Sequence, residues 1–313
     1  MIGSMSKIIQ WLKDPFLLFS IFVHKFIKGK AHFLSDKCYL SLLYRASFRK
    51  KLDWKNPQTF NEKLQWQKLY DRNPLYSLLV DKYEVKKYVE EQIGKEYIIP
   101  TIGVWYKFED IDFSMLPNQF VLKCTHDSGG LVIVRDKSKL DIEAARKKIN
   151  KSLKNNFYWV SREWPYKKVK PRIIAEQYME DEETGELRDY KFFCFNGSPK
   201  YLFIASDRSK GNSEVKFDYF DMEFNRLPMR QAVHPNSTYD IKRPVTFDLM
   251  KSLAKKLSAN LTQVRIDLYE INGKVYFGEF TFFHHGGFVP FIPEKYDFEW
   301  GNDIILPKIK LPC

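Results

Sequence analysis

The chain has 313 residues, 44% of them hydrophobic and 16% aromatic, enough for a substantial core in one large or two modest domains and too much for a disordered chain. The formal net charge of +12 is uneven, because residues 1–60 carry eleven Lys/Arg against three Asp/Glu. Such a basic start suits an anionic membrane surface, an anionic glycan or substrate, or nucleic acid, and no nucleic-acid-binding motif accompanies it.

Residues 5–50 read as helical, with Trp11, Phe16, Leu17, Phe19, Phe22 and Phe26 set among lysines. Ordinary packing of a helical subdomain fits this pattern. So does a seat at a membrane interface, with lysines at the headgroups and aromatics in the acyl boundary. The apolar run Phe16 to Val23 is too short to span a bilayer and lacks a signal-peptide cleavage pattern. Trp54 to Thr59 is a turn-rich joint. Phe60–Leu69 and Pro74–Glu91 then read as helices, the second holding Asp81, Lys82, Lys86 and Lys87.

From Ile98 the pattern turns to strands. Pro100 and Pro117 bracket a loop and a short strand, and Phe120–Lys123 is a compact strand. The loop Thr125-His-Asp-Ser-Gly-Gly130 leads into a second strand, Leu131–Arg135. Lys123 beside Ser128-Gly129-Gly130 could cradle a phosphate, since glycines let backbone N–H groups approach an anion, although the Walker spacing is absent. Asp141 is placed to cap a helix buried on Ile142, Ala145, Ile149 and Leu153. Arg172–Met179 is a further strand, ending in the acidic turn Glu180–Glu186. Leu187–Phe195 and Lys200–Ala205 flank Asn196-Gly197-Ser198-Pro199 as a hairpin, and Phe247, Met250, Leu253, Ala254 and Leu257 mark the buried side of a helix.

The last hairpin, Gln263–Phe282, holds the most chemistry. Val264, Ile266 and Leu268 form one apolar face, and Tyr276, Phe280 and Phe282, with Gly278 among them, form another. A two-residue Asn272-Gly273 loop would put Glu279 opposite Ile266 and mix the faces. A three-residue loop, Ile271-Asn272-Gly273, pairs Glu270 with Lys274 and keeps them separate, so it is the expected turn. Arg265 then lies opposite Glu279, with Asp267 diagonal to it. Two carboxylates and a guanidinium on one face suit Mg²⁺ and a phosphate, or simply a surface salt bridge.

The four cysteines show no CxxC spacing and read as reduced thiols of a cytosolic chain. Asp110-Ile-Asp112 is a D-x-D string of the kind that binds a metal and a nucleotide sugar in glycosyltransferases. Its acidic-loop setting makes coincidence the simpler explanation.

The segments VDKYEVKKYV, FVLKCTHDSGG, IIAEQYM and RIDLYEINGKVYFGEFT occur in the order found in ATP-grasp enzymes. Together with FNEKLQWQKLYDRNPLYSLLVDKY and DYKFFCFNGSPKYLFIASDR, they resemble the TupA-like branch associated with bacterial surface polysaccharides. The resemblance covers about Asn56 to Pro290. It implies an α+β, ATP-grasp fold: a basic helical segment, 1–55, ahead of a catalytic region, 56–313. Within that region a phosphate-loop lobe (about 100–180) and a metal-binding lobe (181–313) would clamp ATP.

By the same resemblance, Lys82 and Lys123 would contact ATP phosphates, beside the Ser128-Gly129-Gly130 loop. Glu176 to Met179 would form the hinge, Gln177, Tyr178 and Met179 reading adenine by their backbone, and Glu183 would hold the ribose. Asp267 and Glu279 would hold Mg²⁺, with Thr281 where many relatives have Asn. Lys191 and Arg208 would face the transferred phosphate, and Arg265 the acyl phosphate. The implied activity joins a carboxylate donor, such as a uronic acid or an acidic amino-acid chain, to an amine, at the expense of ATP. The rival activities are an ATP-grasp kinase and a glycosyltransferase. His284-His285 before Gly286-Gly287 reads as a substrate-facing turn. The expected location is the cytoplasm, with residues 1–50 in contact with the inner membrane face or an anionic glycan.

Overall fold

The computed structural model describes residues 14–182, 185, 187–207 and 215–308, so Trp11 lies outside the described residues. Its helices begin with α1 (Pro15–Phe22), α2 (Asp36–Phe48), α3 (Phe60–Tyr70), α4 (Leu75–Leu79) and α5 (Glu84–Ile93). Strands β1 (Thr101–Trp105), β2 (Phe120–Cys124) and β3 (Leu131–Val134) precede helices α6 (Ile142–Leu153) and α7 (Tyr158–Ser161). Next come β4 (Ile173–Gln177), β5 (Arg188–Phe195), β6 (Ser198–Ser206), β7 (Lys216–Phe220), β8 (Arg230–Gln231) and helix α8 (Phe247–Leu257). Strands β9 (Gln263–Ile271), β10 (Lys274–Thr281) and β11 (Phe291–Ile292) and helix α9 (Lys295–Asp303) complete the α+β chain.

Two compact units form. One comprises the chain up to Arg72, Tyr158–Glu163 and the residues from Phe283 onward; the other comprises Asn73–Phe157 and Trp164–Phe282. The residues after Phe282 therefore group with the N-terminal helices, where the sequence boundaries put them in the metal-binding lobe.

In the first unit Asp14 caps α1, its carboxylate accepting the N–H groups of Phe16 and Leu17 at 3.1 and 3.2 Å, and Pro15 follows at the position where a missing N–H costs nothing. A π-helical turn, Val23–Ile27, extends α1 until Gly29 (φ +74°) breaks it. In the described part of the segment expected to be helical, 14–50, two helices stand with a turn between them. Val23, Tyr39, Leu40, Leu43 and Tyr44 form the core, with Phe19 and Ile27 against it. The expected joint before α3 is a full capping box: Thr59 accepts from the Glu62 N–H at 3.2 Å, and Glu62 accepts from the Thr59 N–H at 3.1 Å.

The second unit holds two antiparallel sheets. The four-stranded sheet has the order β1-β4-β2-β3 and is backed by α6, whose Ala145 and Ile149 pack on Phe120, Leu122, Ile173 and Ala175. Asp141 caps α6 as its sequence suggests, accepting from the Ala144 N–H at 2.9 Å. The five-stranded sheet has the order β10-β9-β5-β6-β7, and α8 lies behind it with Phe247 stacked on Phe192 at 6.0 Å. The single helix expected over Pro74–Glu91 is two, because Asp81 takes the N–H groups of Tyr83 (2.9 Å) and Glu84 (3.3 Å) and starts α5 afresh.

The β9–β10 turn corrects the expected loop. Asn272 (φ +49°) and Gly273 (φ +71°) make a two-residue turn, with Lys274 opposite Ile271. Both central residues have the positive φ that the common hairpin turn needs. The faces are separated by a bulge at Gly278 instead. Phe277 pairs with Leu268, and beyond the bulge Glu279 pairs with Asp267 and Thr281 with Arg265. The buried positions of β10 accordingly change phase, from Val275 and Phe277 to Phe280. A Cβ on Gly278 would lie 3.0 Å from the Asp267 carbonyl oxygen and 3.0 Å from the Tyr269 ring, so a larger residue fits there only if these neighbours give way by a few tenths of an ångström.

Candidate active site

Within the second unit a cavity of about 260 Å³ opens between the two sheets. Val121, Leu131 and Ile133 of β2 and β3 supply one apolar wall, and Leu187, Ala205 and Tyr269 another. Gln177, Tyr178, Met179 and Glu180, which lead out of β4, line one end. The Gln177 N–H is committed to the Pro100 carbonyl at 3.0 Å. At the rim, Arg135 Nε donates to the Tyr178 hydroxyl and that hydroxyl to Glu180, both at 2.8 Å.

Lys123 and Glu176 line the same cavity. Lys123 lies opposite Ile174 across β2–β4, two positions beyond the Val121–Glu176 pair and so on the same face, and its Nζ reaches one Glu176 oxygen at 2.5 Å. Lys86 holds the other oxygen at 2.5 Å, and also donates to the Ile99 carbonyl (2.8 Å) and the Thr101 hydroxyl (2.7 Å). Burial raises the Glu176 pKa, but the two ammonium groups outweigh it and hold the carboxyl below its ordinary value. A carboxylate carrying two lysines leaves a net positive edge at the cavity.

Lys82 stands elsewhere. Its Nζ donates to the Asp127 carbonyl and its N–H to the Thr125 carbonyl, so it pins the 125–130 loop. Asp127 also accepts from the Gly130 N–H at 3.1 Å and from the Ser152 hydroxyl. A Cβ on Gly130 would meet Ser152 Oγ and Cys124 Sγ, so close packing accounts for this glycine. Ser128 and Gly129 are exposed at the loop tip, and a Cβ on Gly129 would meet only Asp127 Oδ2, at 3.7 Å. His126 is buried, with Nε2 3.1 Å from the Ser152 carbonyl.

From Asp189, on the cavity wall, the five-stranded sheet carries a row of charges. Lys191 lies 3.3 Å from Asp189 and pairs with Asp267 across β5–β9. Arg265 grips Asp267 with two bonds, Nε to Oδ1 at 2.7 Å and Nη2 to Oδ2 at 2.8 Å. The same Nη2 reaches Thr281 Oγ1 at 2.9 Å and Glu279 Oε1 at 3.2 Å. Asp267 is 1% exposed. Burial raises its pKa, but Arg265 and Lys191 outweigh the burial and keep it ionised below the usual carboxylate range. Burial opposes charge on Arg265 too, and Asp267 more than compensates, so its pKa is raised.

Among the described residues no three His, Cys, Asp or Glu side chains form a self-sufficient metal cage. Mg²⁺ does not need one, since it keeps waters and uses substrate phosphates beside one or two carboxylates. Asp267 and Glu279 face each other across the hairpin beside the Thr281 hydroxyl. With no imidazole or thiol in that set, it fits a hard dication, which would compete with Arg265 and Lys191 for the Asp267 oxygens.

The geometry thus brings together Lys123, Glu176, Gln177, Tyr178 and Met179 at the cavity, and Lys191, Arg265, Asp267, Glu279 and Thr281 on the adjoining sheet face. Glu183 and Arg208 lie outside the described residues. Sequence reasoning missed Lys86, Asp189 and Tyr269. Lys86 had a signal, as the lysine one turn beyond Lys82. The Asp110-Ile-Asp112 string is a turn: the Asp112 carboxylate accepts the Ser114 N–H at 2.9 Å and hydroxyl at 2.6 Å. In the first unit His284–Gly287 forms a tight turn, in which the Gly286 carbonyl accepts from Gln65 Nε2 (3.1 Å) and Lys68 Nζ (2.6 Å).

The two antiparallel sheets flanking the cavity, with the family match that follows, place the chain in the ATP-grasp class. The family model described as TupA-like ATPgrasp matches residues 62–305, and the chain belongs to that family. A search of curated proteins finds no match. Among solved structures the chain is similar to an L-amino acid ligase from Bacillus licheniformis, at 12% identity and TM-score 0.45, covering 82% of this chain and 57% of that one. It is also similar to a D-alanine–D-alanine ligase from Helicobacter pylori (12%, TM-score 0.42, 78% and 68% covered). A third similar structure is the D-alanine–D-alanine ligase from Bacillus anthracis complexed with ATP (16%, TM-score 0.38), of which this chain spans about half, 53%, while 65% of this chain is covered.

Proposed function

We propose that the chain is an ATP- and Mg²⁺-dependent carboxylate–amine ligase acting through an acyl phosphate, on a bacterial surface polysaccharide or its precursor. The observation that carries this reading is the continuity of the cavity with the charged sheet face, through Asp189, Lys191 and Asp267. An adenine fits the slot between Ile133 and Leu187 better than a charged group would, and Tyr178 and Met179 offer backbone at its edge. Lys123, with Lys86 behind it on Glu176, offsets triphosphate charge, and Ser128 and Gly129 at the loop tip add backbone donors, with Gly130 holding the loop through Asp127. Lys82 supports that tip by holding the Asp127 carbonyl.

A carboxylate acylates amines poorly until it is phosphorylated. In the proposed first step a carboxylate oxygen of the substrate attacks the γ-phosphorus and ADP leaves. In the second the amine nitrogen attacks the acyl carbon and phosphate leaves. Phosphoryl transfer needs positioning and positive charge rather than a covalent enzyme intermediate. Lys191 and Arg208 are assigned to the transferred phosphate, and Arg265, whose planar fork suits an oxyanion, to the acyl group. Asp267 and Glu279, with Thr281, would hold Mg²⁺, which when bound neutralises charge on the β- and γ-oxygens. Glu183 is assigned to the ribose. A uronic acid or an acidic amino-acid chain is the proposed acid, and the cytoplasm, where ATP is supplied, the proposed location.

Product analysis tests this reading. With ATP, Mg²⁺, a uronic acid and an amine, an amide with stoichiometric ADP and phosphate is expected. A stable phosphate ester would identify a kinase, and release of UDP from a nucleotide sugar a glycosyltransferase.

A further inference from the structure

Helix α1 and the turn after it present two adjacent apolar stripes, only one of which packs on the core among the described residues. Phe19, Val23 and Ile27 recur every four residues and pack on the core of the first unit. Leu18, Phe22 and Phe26 recur with the same spacing one residue earlier, and are 42%, 53% and 53% exposed. The Phe22 and Phe26 rings lie 5.5 Å apart, so they form one patch. Phe33, in the turn that follows, is 85% exposed.

Lysines stand directly among these rings. Lys25, Lys28, Lys30 and Lys37 are all exposed, and Lys25 lies 5.4 Å above the Phe26 ring. No Asp or Glu occurs between Pro15 and Ser35. Exposed hydrocarbon set in uniformly positive surface is the pattern of a helix that lies in the plane of an anionic bilayer. A second copy of this chain would bring like charge against like charge. A soluble polyanion would satisfy the lysines but offer no hydrocarbon to Leu18, Phe22 and Phe33.

We infer that Leu18, Phe22, Phe26 and Phe33, with Lys25, Lys28 and Lys30, form a docking surface for an anionic lipid bilayer. The rings enter the acyl boundary and the ammonium groups meet lipid phosphates. This stands on residues 15–37 alone and does not depend on the ligase chemistry.

The test is flotation of the full chain with vesicles of phosphatidylcholine, or of phosphatidylcholine with about 30 mol% phosphatidylglycerol, at about 0.1 M salt. Partition is expected to rise at least about tenfold with the anionic lipid. Phe22→Ser/Phe26→Ser leaves the charge unchanged and is expected to lower it about tenfold. Lys25→Gln/Lys28→Gln/Lys30→Gln should lower it by at least about tenfold and abolish its salt dependence. Melting curves establish folding of each variant, and Phe33→Ser alone, expected to lose about threefold, replaces the double variant if that one does not fold. Undiminished binding by the phenylalanine variants would reduce the contact to charge adsorption and overturn the inference. So would a soluble anionic glycan or an RNA oligonucleotide that outcompetes vesicles for the unaltered chain. A dimer that Phe22→Ser/Phe26→Ser dissolves would assign the patch to a second copy and overturn it as well.

Discussion

Gly278→Ala is the substitution on which the geometry of the charged hairpin depends most narrowly. The added methyl would lie 3.0 Å from the Asp267 carbonyl oxygen and 3.0 and 3.2 Å from Cε2 and Cζ of Tyr269. The Asp267 carbonyl belongs to the paired β9 backbone and cannot move without disturbing the hairpin, and the Tyr269 ring lines the cavity. Overpacking of this kind costs about 1–3 kcal/mol, which at about 2–4 °C per kcal/mol lowers the melting temperature by about 2–12 °C. The functional loss is expected to be larger than the loss of stability. The bulge is what sets Glu279 opposite Asp267, and if these carboxylates hold the metal as proposed, a displacement of about 1 Å can cost about 100-fold in rate. Gly273→Ala is the control: its φ of +71° charges about 1–2 kcal/mol for a side chain, yet no atom lies within 4 Å of the added methyl. Differential scanning calorimetry and Mg²⁺-dependent ADP release on both variants separate the effects. Gly273→Ala should melt lower with near-normal turnover, and Gly278→Ala should lose turnover as well. Equal turnover in the two would refute the role given to the bulge.

Glu279→Gln should lower metal-dependent turnover by about 100-fold or more with little change in melting temperature, because its side chain is 38% exposed. Asp267→Asn should lose turnover and also about 3–5 kcal/mol of stability, since it leaves the buried Arg265 and Lys191 without their shared carboxylate. Arg265→Lys keeps the charge but loses the fork onto Asp267 and Thr281, and amide formation should fall further than nucleotide binding, read by comparing product yield with ATP titrations. Burial, with Glu62 and Glu294 nearby, pushes Asp297 up to about 6 in the folded state, so its contribution to stability is complete below the ordinary carboxylate pKa and is lost as pH rises through about 6. Asp297→Asn, which keeps an acceptor for the Asn61 N–H, should remove up to about 3 kcal/mol of that decline between pH 4 and 8 in denaturant titrations, and an unchanged slope would contradict it.

Most elements that carry the site were legible because their signals are local. Asn-Gly turns, the Asp141 cap and the alternating apolar residues of β2, β5 and β9 each follow from a few neighbouring residues. Two features depended on contacts distant in sequence and were not legible. The Gly278 bulge is chosen by the crowding of Tyr269 and the Asp267 carbonyl, which alternation alone cannot reveal, and without it the three-residue loop was the only way to keep the faces apart. The sequence pattern puts the lysines of 82–87 on one continuous helix, but Asp81 restarts the helix at Glu84, which directs Lys86 to Glu176 and Lys82 to the Asp127 carbonyl. Asp267 illustrates a third limit. In the sequence it is a carboxylate suited to a metal or a surface salt bridge; in the fold it neutralises two buried cations.

Nucleotide titration is the most direct test of the central claim, that the cavity between the sheets is an ATP site. Binding of ATP with Mg²⁺ is measured by calorimetry on the unaltered chain and on Lys123→Met, with a UDP-sugar as the comparison ligand. A ligand bound only by the folded state also raises the melting temperature, which gives a second readout on the same samples. ATP is expected to bind and stabilise the chain more than the UDP-sugar does, and Lys123→Met to weaken ATP binding at least about tenfold, as for loss of a cation facing phosphate. Preferential binding of the UDP-sugar, or ATP affinity untouched by Lys123→Met, would contradict that claim.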